Sequence, residues 1–217
     1  MLTNYFPVRK TNENRSRVKQ KIFWFIILCL LLIPGSVFAH PHVFIDNTIT
    51  IVFDQKGLAG IKAKWVFDEM FSSMIIHDYD GNKDGAFNVA EIKKIKNGAF
   101  SNLKNFHYFT YIKIDGKKFE VKFVRDFSSS LDNNRVIYTF FIPCHVLASS
   151  SQKEIKISIY DNTYYVDVAL AGKNPVHFEH TSHIDCQHKI VDNTKNPYYY
   201  GQIFPQEIIL KFRKKSE

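Results

Sequence analysis

The chain has 217 residues, with 29 Lys and Arg against 21 Asp and Glu, a formal net charge of +8. A basic surplus of that size would ordinarily suggest a nucleic-acid partner. Its distribution excludes one: residues 1–39 hold six of the basic side chains and one acidic one, Glu13, so the remainder carries 23 against 20, a formal +3.

The N-terminal charges belong to an export signal. Arg9, Lys10, Arg15, Arg17, Lys19 and Lys21 precede an unbroken apolar run from Ile22 to Ile33, and Pro34-Gly35 then breaks the helix. Val37-Phe38-Ala39 places small residues where a signal peptidase reads. The apolar run is shorter than the roughly 20 residues that span a bilayer. Residues 1–39 are therefore expected to be cleaved after Ala39, releasing the rest into the periplasm, with an uncleaved membrane anchor as the alternative.

The chain from His40 to Glu217 is of single-domain size and long enough to bury one core. His42 to Phe53 alternates in polarity, and after Gly57 the alternation continues from Leu58 to Val66, giving two strands. At Asp68, an expected N-cap, the period changes: Met70, Phe71, Met74 and Ile75 recur at helical spacing. A second helix leaves the adjoining acidic loop through Ile92, Ile95 and Phe100. Strands return at Tyr108 to Ile114 and Lys117 to Val124, joined by the two-residue turn Asp115-Gly116. Arg135 to Ile142, Glu154 to Tyr160 and Tyr164 to Leu170 come next, while Ser128-Ser129-Ser130 and Ser149-Ser150-Ser151 read as turns. Val176 to Ile190 is less regular. The expected fold class is α+β, mainly β: a β-sandwich-like domain over residues 40–192 with an EF-hand helix–loop–helix inserted at about 68–104. Residues 193–217 read as a partly disordered extension outside the core.

The acidic loop carries the sharpest pattern. Calcium takes six to eight oxygens, and the EF-hand supplies them at fixed offsets. Asp80, Asn82 and Asp84 fall at positions 1, 3 and 5, and Gly85 at position 6, where the turn needs a residue without Cβ. Ala86 would offer its backbone carbonyl at position 7, Asn88 would act through water at position 9, and Glu91 would close the cage at position 12. With Asn82 and Lys83 in the loop the ligand charge is three carboxylates, which suits a structural Ca²⁺ rather than a signalling one.

All nine histidines lie beyond residue 39. Cleavage after Ala39 exposes His40-Pro41-His42. A terminal His offers its α-amine and Nδ1 to one metal, and His42 lies on the same face of an extended chain. Pro41 has no amide hydrogen, so the square-planar mode through deprotonated backbone amides is blocked. A second group, His177, His180, His183 and His188 with Glu179, Asp185 and Cys186, is rich in ligands for Ni²⁺, Co²⁺, Zn²⁺ or Cu²⁺, set against a solvent-facing edge of the sheet. His77, His107 and His145 read as lone structural residues. Cys144 and Cys186 either pair as a disulfide, which an oxidising compartment permits, or stay separate thiols.

Several of these features occur together in one family. His40-Pro41-His42, Trp65-Val66-Phe67-Asp68-Glu69, the Asp80–Glu91 loop, Tyr108-Phe109-Thr110, Arg125-Asp126-Phe127-Ser128 and Tyr160-Asp161-Asn162-Thr163-Tyr164-Tyr165 resemble the bacterial DUF1007 family over roughly residues 40–186. The resemblance implies a periplasmic component of a transport system associated with nickel, cobalt or zinc, and so an inner-membrane metal transporter as partner. No nucleophile elbow, metalloprotease His pair or phosphate-binding Gly loop is present, so no enzyme is expected. The leading expectation is a metal-binding accessory protein using His40 and His42 with His177, His180 or His183, its fold held by Ca²⁺. Two alternatives stand beside it: a copper redox protein built on the terminal His, and a calcium-stabilised structural or interaction module.

Overall fold

Strict alternation builds the first sheet. β1 (Val43–Asp54) buries its odd-numbered side chains from Val43 through Phe53 and turns Phe44 and Asp46 outward. β2 (Gly57–Phe67) returns antiparallel beside it, with Ile61, Ala63, Trp65 and Phe67 on the same buried face. The Asp54 carboxylate accepts the amides of Lys56 and Gly57 and so closes the turn. Gly57 is required there: its φ is +144°, and an added Cβ would collide with the Val146 carbonyl. The structure, a computed structural model, describes residues 17, 19–27 and 41–215.

Two sheets form the domain. In the first, β5 (Arg125–Asp132), β6 (Arg135–Leu147), β2 and β1 are neighbours in that order. The far edge of β1 is shared by two parallel strands, β8 (Val166–Leu170) along its first half and β9 (Val176–Glu179) along its second. The second sheet runs β10 (Ile184–Asp192), β11 (Gln206–Lys214), β7 (Lys153–Ile159), β3 (Thr110–Ile114) and β4 (Lys117–Phe119). The sheets meet through one apolar core, with Phe53 of β1 edge-on to Phe212 of β11 at 5.3 Å. A mainly β architecture over residues 41–215, with its described helices in the one connection between β2 and β3, agrees with the expected class.

Between β2 and β3 the chain is helical. α1 (Glu69–Tyr79) begins at Asp68, whose carboxylate accepts the Phe71 amide as the expected N-cap. α2 (Val89–Ile95) continues into a π-helical turn, Lys96–Phe100, and a 3₁₀ stretch, Ser101–Phe109. The second helix is thus shorter than Phe100 suggested. The buried face of α1 also differs from its hydrophobic spacing. Ser72 and Ile75 are buried, whereas Met70 and Met74 stand 61% and 53% exposed. The Ser72 hydroxyl accepts the Val136 amide at 2.9 Å, tying the helix to β6.

Other expectations are corrected. Ser128, Ser129 and Ser130 are not a turn but the middle of β5, paired with Thr139, Tyr138 and Ile137. Lys117 to Val124 yields only a three-residue strand. The most consequential correction is at the C-terminus. Residues 206–214 form β11, hydrogen-bonded on both sides, with Ile208, Leu210 and Phe212 buried. The run Ile208-Ile209-Leu210-Lys211-Phe212 hid its period of two because Ile209 occupies an outward position.

One row of the first sheet is polar inside the core. Asn47, Trp65, Tyr138 and Ser129 are successive cross-strand partners on β1, β2, β6 and β5, all buried. Each carries a polar side-chain atom without a hydrogen-bond partner in the protein. Groups of this kind in native proteins are bridged by internal water.

Residues 1–39 group separately from 40–217. Residues 19–27 of the expected leader are helical. Among the described residues no helix is long and apolar enough to cross a membrane. The expected cleavage point after Ala39, and His40 with it, lie outside the described residues.

Candidate functional site

The loop between α1 and α2 gathers four acidic or amide side chains within a short, tightly bonded turn. Gly85, in the left-handed region at φ +77°, donates its amide to Asp80 Oδ2 at 3.1 Å. Asp84 Oδ1 accepts the Ala86 amide at 2.9 Å, and the Asn82 side-chain nitrogen donates to Asp84 Oδ2 at 2.7 Å. Glu91 folds back across the loop. Its Oε1 accepts the Gly81 amide and its Oε2 the Asn88 amide, each at 2.9 Å. Asn88 in turn caps α2 by accepting from the Ala90 and Glu91 amides, so Asn88 and Glu91 form a reciprocal capping box.

Burial makes this arrangement electrostatically demanding. Asp80 is 6% exposed and Glu91 5%. Among the described residues no Lys or Arg forms an ion pair with Asp80, Asp84 or Glu91. Oδ1 of Asp80 is buried with no hydrogen-bond partner. An ionised carboxylate withdrawn from water is costly unless something positive or hydrogen-donating meets it. The orphaned oxygen is what a hard cation would satisfy, and the neighbouring Asn82, Asp84, Ala86 carbonyl and Glu91 oxygens are of the type calcium takes. On that chemistry the residues fit the ion. Among the described residues, however, no three His, Cys, Asp or Glu side chains converge as a ready-made metal site. The loop's donor set depends on its amide and carbonyl oxygens as well.

The histidines are dispersed. His42 sits at the start of β1, its amide donating to the Tyr165 carbonyl and its ring 5.0 Å from that of Tyr165. His177 on β9 pairs with Thr50, eight residues further along β1. At about 3.3 Å per residue the two are separated by roughly 25 Å, so one ion cannot bridge them. Nε2 of His183 donates to the Asp54 carbonyl at 2.7 Å, and His188 packs on Phe178 with rings 5.2 Å apart. His180 is exposed with φ +61°. The structure brings His180 and His183 to one end of the sandwich through the chain itself, but not to His42.

The cysteines do not pair. Both Cys144 and Cys186 are free thiols. Phe212 of β11 faces Phe53 of β1, and His188 of β10 packs on Phe178 of β9, so β10 and Cys186 lie toward the β9 edge of the first sheet. Cys144 lies to the other side, on β6, two strands from β1. Burial pushes the Cys144 thiol up to about 12, so it stays protonated and unreactive at neutral pH.

Pattern reading also missed a row of lysines on the outer face of the second sheet. Lys113 on β3 lies directly opposite Lys118 on β4 and Lys156 on β7. The first of these pairings was implicit in the two-residue turn at Asp115-Gly116, which fixes 113 against 118. The second requires the tertiary arrangement.

A two-sheet, mainly β sandwich with an acidic helix–loop–helix between its second and third strands is the class this geometry defines. The chain belongs to the DUF1007 family, described as "Protein of unknown function (DUF1007)", whose sequence profile matches residues 25–210. It is similar to an "Uncharacterized protein" of Haemophilus influenzae, 30% identical over 169 residues, which covers 76% of this chain and 79% of the relative. It is also similar to an "Uncharacterized 15.5 kDa protein in trpE 3'region" of Spirochaeta aurantia, 30% identical over 131 residues, 60% of this chain and 93% of the relative. The family match runs into β11, so it takes in most of the segment expected to lie beyond it.

Proposed function

We propose that the protein is an exported, non-enzymatic accessory module whose helix–loop–helix binds one calcium ion as an EF-hand. The observation that carries the calcium reading is the buried, unpartnered Oδ1 of Asp80 inside a loop whose glycine, offsets and flanking helices all suit that ion. Asp80, Asn82, Asp84 and Glu91 would hold calcium through side-chain oxygens and Ala86 through its carbonyl. Asn88, engaged in capping α2, would act through water. Bound there, the ion would neutralise carboxylates that no basic side chain meets and would lock α1 to α2. Extracellular modules of this kind bind at about 10⁻⁴–10⁻³ M. The test is thermal melting of the full chain in about 2 mM calcium, within reach of that affinity range, and in chelator, beside Asp80→Ala. A calcium-dependent rise in midpoint, absent in the variant, supports the reading; identical midpoints for the native chain in both buffers overturn it.

The cellular setting in this proposal, service to an inner-membrane nickel, cobalt or zinc transporter in the periplasm, is supported by the family resemblance and the leader-like N-terminus. It predicts that cells lacking the protein need more external metal for the same uptake. Unchanged uptake of all three metals would count against it.

A further inference from the structure

We propose a second binding site, for a small organic oxyanion, in the cavity on the outer face of the second sheet. The cavity has a volume of about 170 Å³ and lies over β3, β4 and β7. Three of its lining residues, Lys118, Lys113 and Lys156, stand side by side on three adjacent strands. Like charges directly opposite one another on a sheet are destabilising. Lys156 is partly compensated by Glu154 at 3.7 Å and by the buried Glu207 at 3.8 Å. Lys113 and Lys118 form no ion pair among the described residues, and Glu120 is the one further acidic side chain of the lining.

Lysines on an edge strand commonly serve to keep sheets from pairing. That explains Lys118 on β4, but not Lys113 on the second strand in or Lys156 on the central one. The cavity's wall is aromatic. Tyr111 stacks on Tyr160 with ring centroids 4.4 Å apart at 26°, presenting flat apolar surface beside the ammonium groups. The chain that delivers His107 to the cavity is held in strain. His107, Tyr108 and Phe109 are three consecutive non-glycine residues at φ +53°, +52° and +54°, a conformation that persists where surrounding structure dictates it and that clusters at ligand sites. His107 thereby lines the cavity with its ring 6.5 Å from Tyr111. Paired ammonium groups call for an oxyanion, and the flat wall for a carbon skeleton attached to it. The volume, below the roughly 300–1,000 Å³ of drug-sized pockets, calls for a molecule of small-metabolite size. Carboxylate and phosphate share this chemistry.

Calorimetric titration of the full chain with citrate and, separately, with pyrophosphate distinguishes the two. Saturable one-to-one binding of either is expected. Lys113→Gln with Lys118→Gln should weaken it at least tenfold, while Lys56→Gln with Lys64→Gln, the same change of net charge at the first sheet, should alter it less than threefold. In the absence of ligand the first double variant should melt no lower than the native chain, since it relieves repulsion. No saturable binding of either anion, equal loss in both double variants, or a lowered melting point of the Lys113/Lys118 variant would each overturn the proposal. The calcium response of the loop is independent of all three outcomes.

Discussion

The Gly85 amide reaches back 3.1 Å to one carboxylate oxygen of Asp80, while the other oxygen of that carboxylate is buried and unmet. The bond depends on the left-handed backbone at Gly85, φ +77°. An added Cβ there would touch nothing within 4 Å, so substitution is penalised by conformation alone. Gly85→Ala is expected to lower unfolding free energy by about 1 kcal/mol, read from urea denaturation in chelator. In calcium the loss should be larger, because the shifted backbone also displaces Asp80. Equal losses in both buffers would separate the turn from the ion.

The helix α1 gives a prediction opposite to its hydrophobic pattern. Ser72 is fully buried and accepts the Val136 amide, whereas Met74 faces solvent. Ser72→Ala leaves a buried amide unmet and should cost about 1–3 kcal/mol. Met74→Ser should change stability by no more than about 0.5 kcal/mol, as exposed substitutions do. Denaturant midpoints of the two variants decide it, and a larger loss at Met74 would mean that the methionine face is covered.

Much of this molecule could be read from local chemistry. The period of two in β1 and β2, the Asp68 cap, the Asp115-Gly116 turn and the left-handed turn at Gly85 are all set by residues close in sequence, and each is found where expected. The failures share another origin. Ser72 is buried because β6 supplies a donor for it; Ser129 is in a strand because Tyr138 pairs with it; Lys113 matters because Lys156 comes alongside. Partners distant in the chain decide these, and no periodicity reports them. The histidines show the same limit: density along the chain from His177 to His188 did not translate into convergence, because the segment crosses from one sheet to the other, leaving His177 on β9, His180 and His183 in the connection and His188 on β10.

The C-terminal strand makes the difference measurable. Phe212 is fully buried against Phe53, with β10 and β7 bonded on either side of β11. Phe212→Ala should cost about 3–5 kcal/mol, the usual loss on emptying a core aromatic site. Removal of residues 206–217 should abolish cooperative unfolding altogether, since two strands would lose their common neighbour. A disordered tail would predict no change in either case, and circular dichroism during thermal melting distinguishes the two.

Acid stability should report on the hairpin between β3 and β4. The Asp115 carboxylate accepts the Glu154 amide at 3.0 Å and the Lys153 ammonium at 3.0 Å. The backbone hydrogen bond first, and the lysine second, hold its carboxyl below the ordinary value of 3.8. A carboxyl depressed in the folded state contributes stability that is fully present above its unfolded pKa and is lost as pH falls through the folded one. The contribution of Asp115 should therefore be intact at about pH 5 and disappear below about pH 3.8. The group is largely solvent-exposed, so the effect should be small and the lysine part should fade in high salt. Carbon-detected NMR titration gives the pKa directly. Asp115→Asn should flatten the stability profile between about pH 5 and pH 3 while leaving its slope at neutral pH unchanged; a slope unaltered on the acid side would assign that stability to other carboxylates.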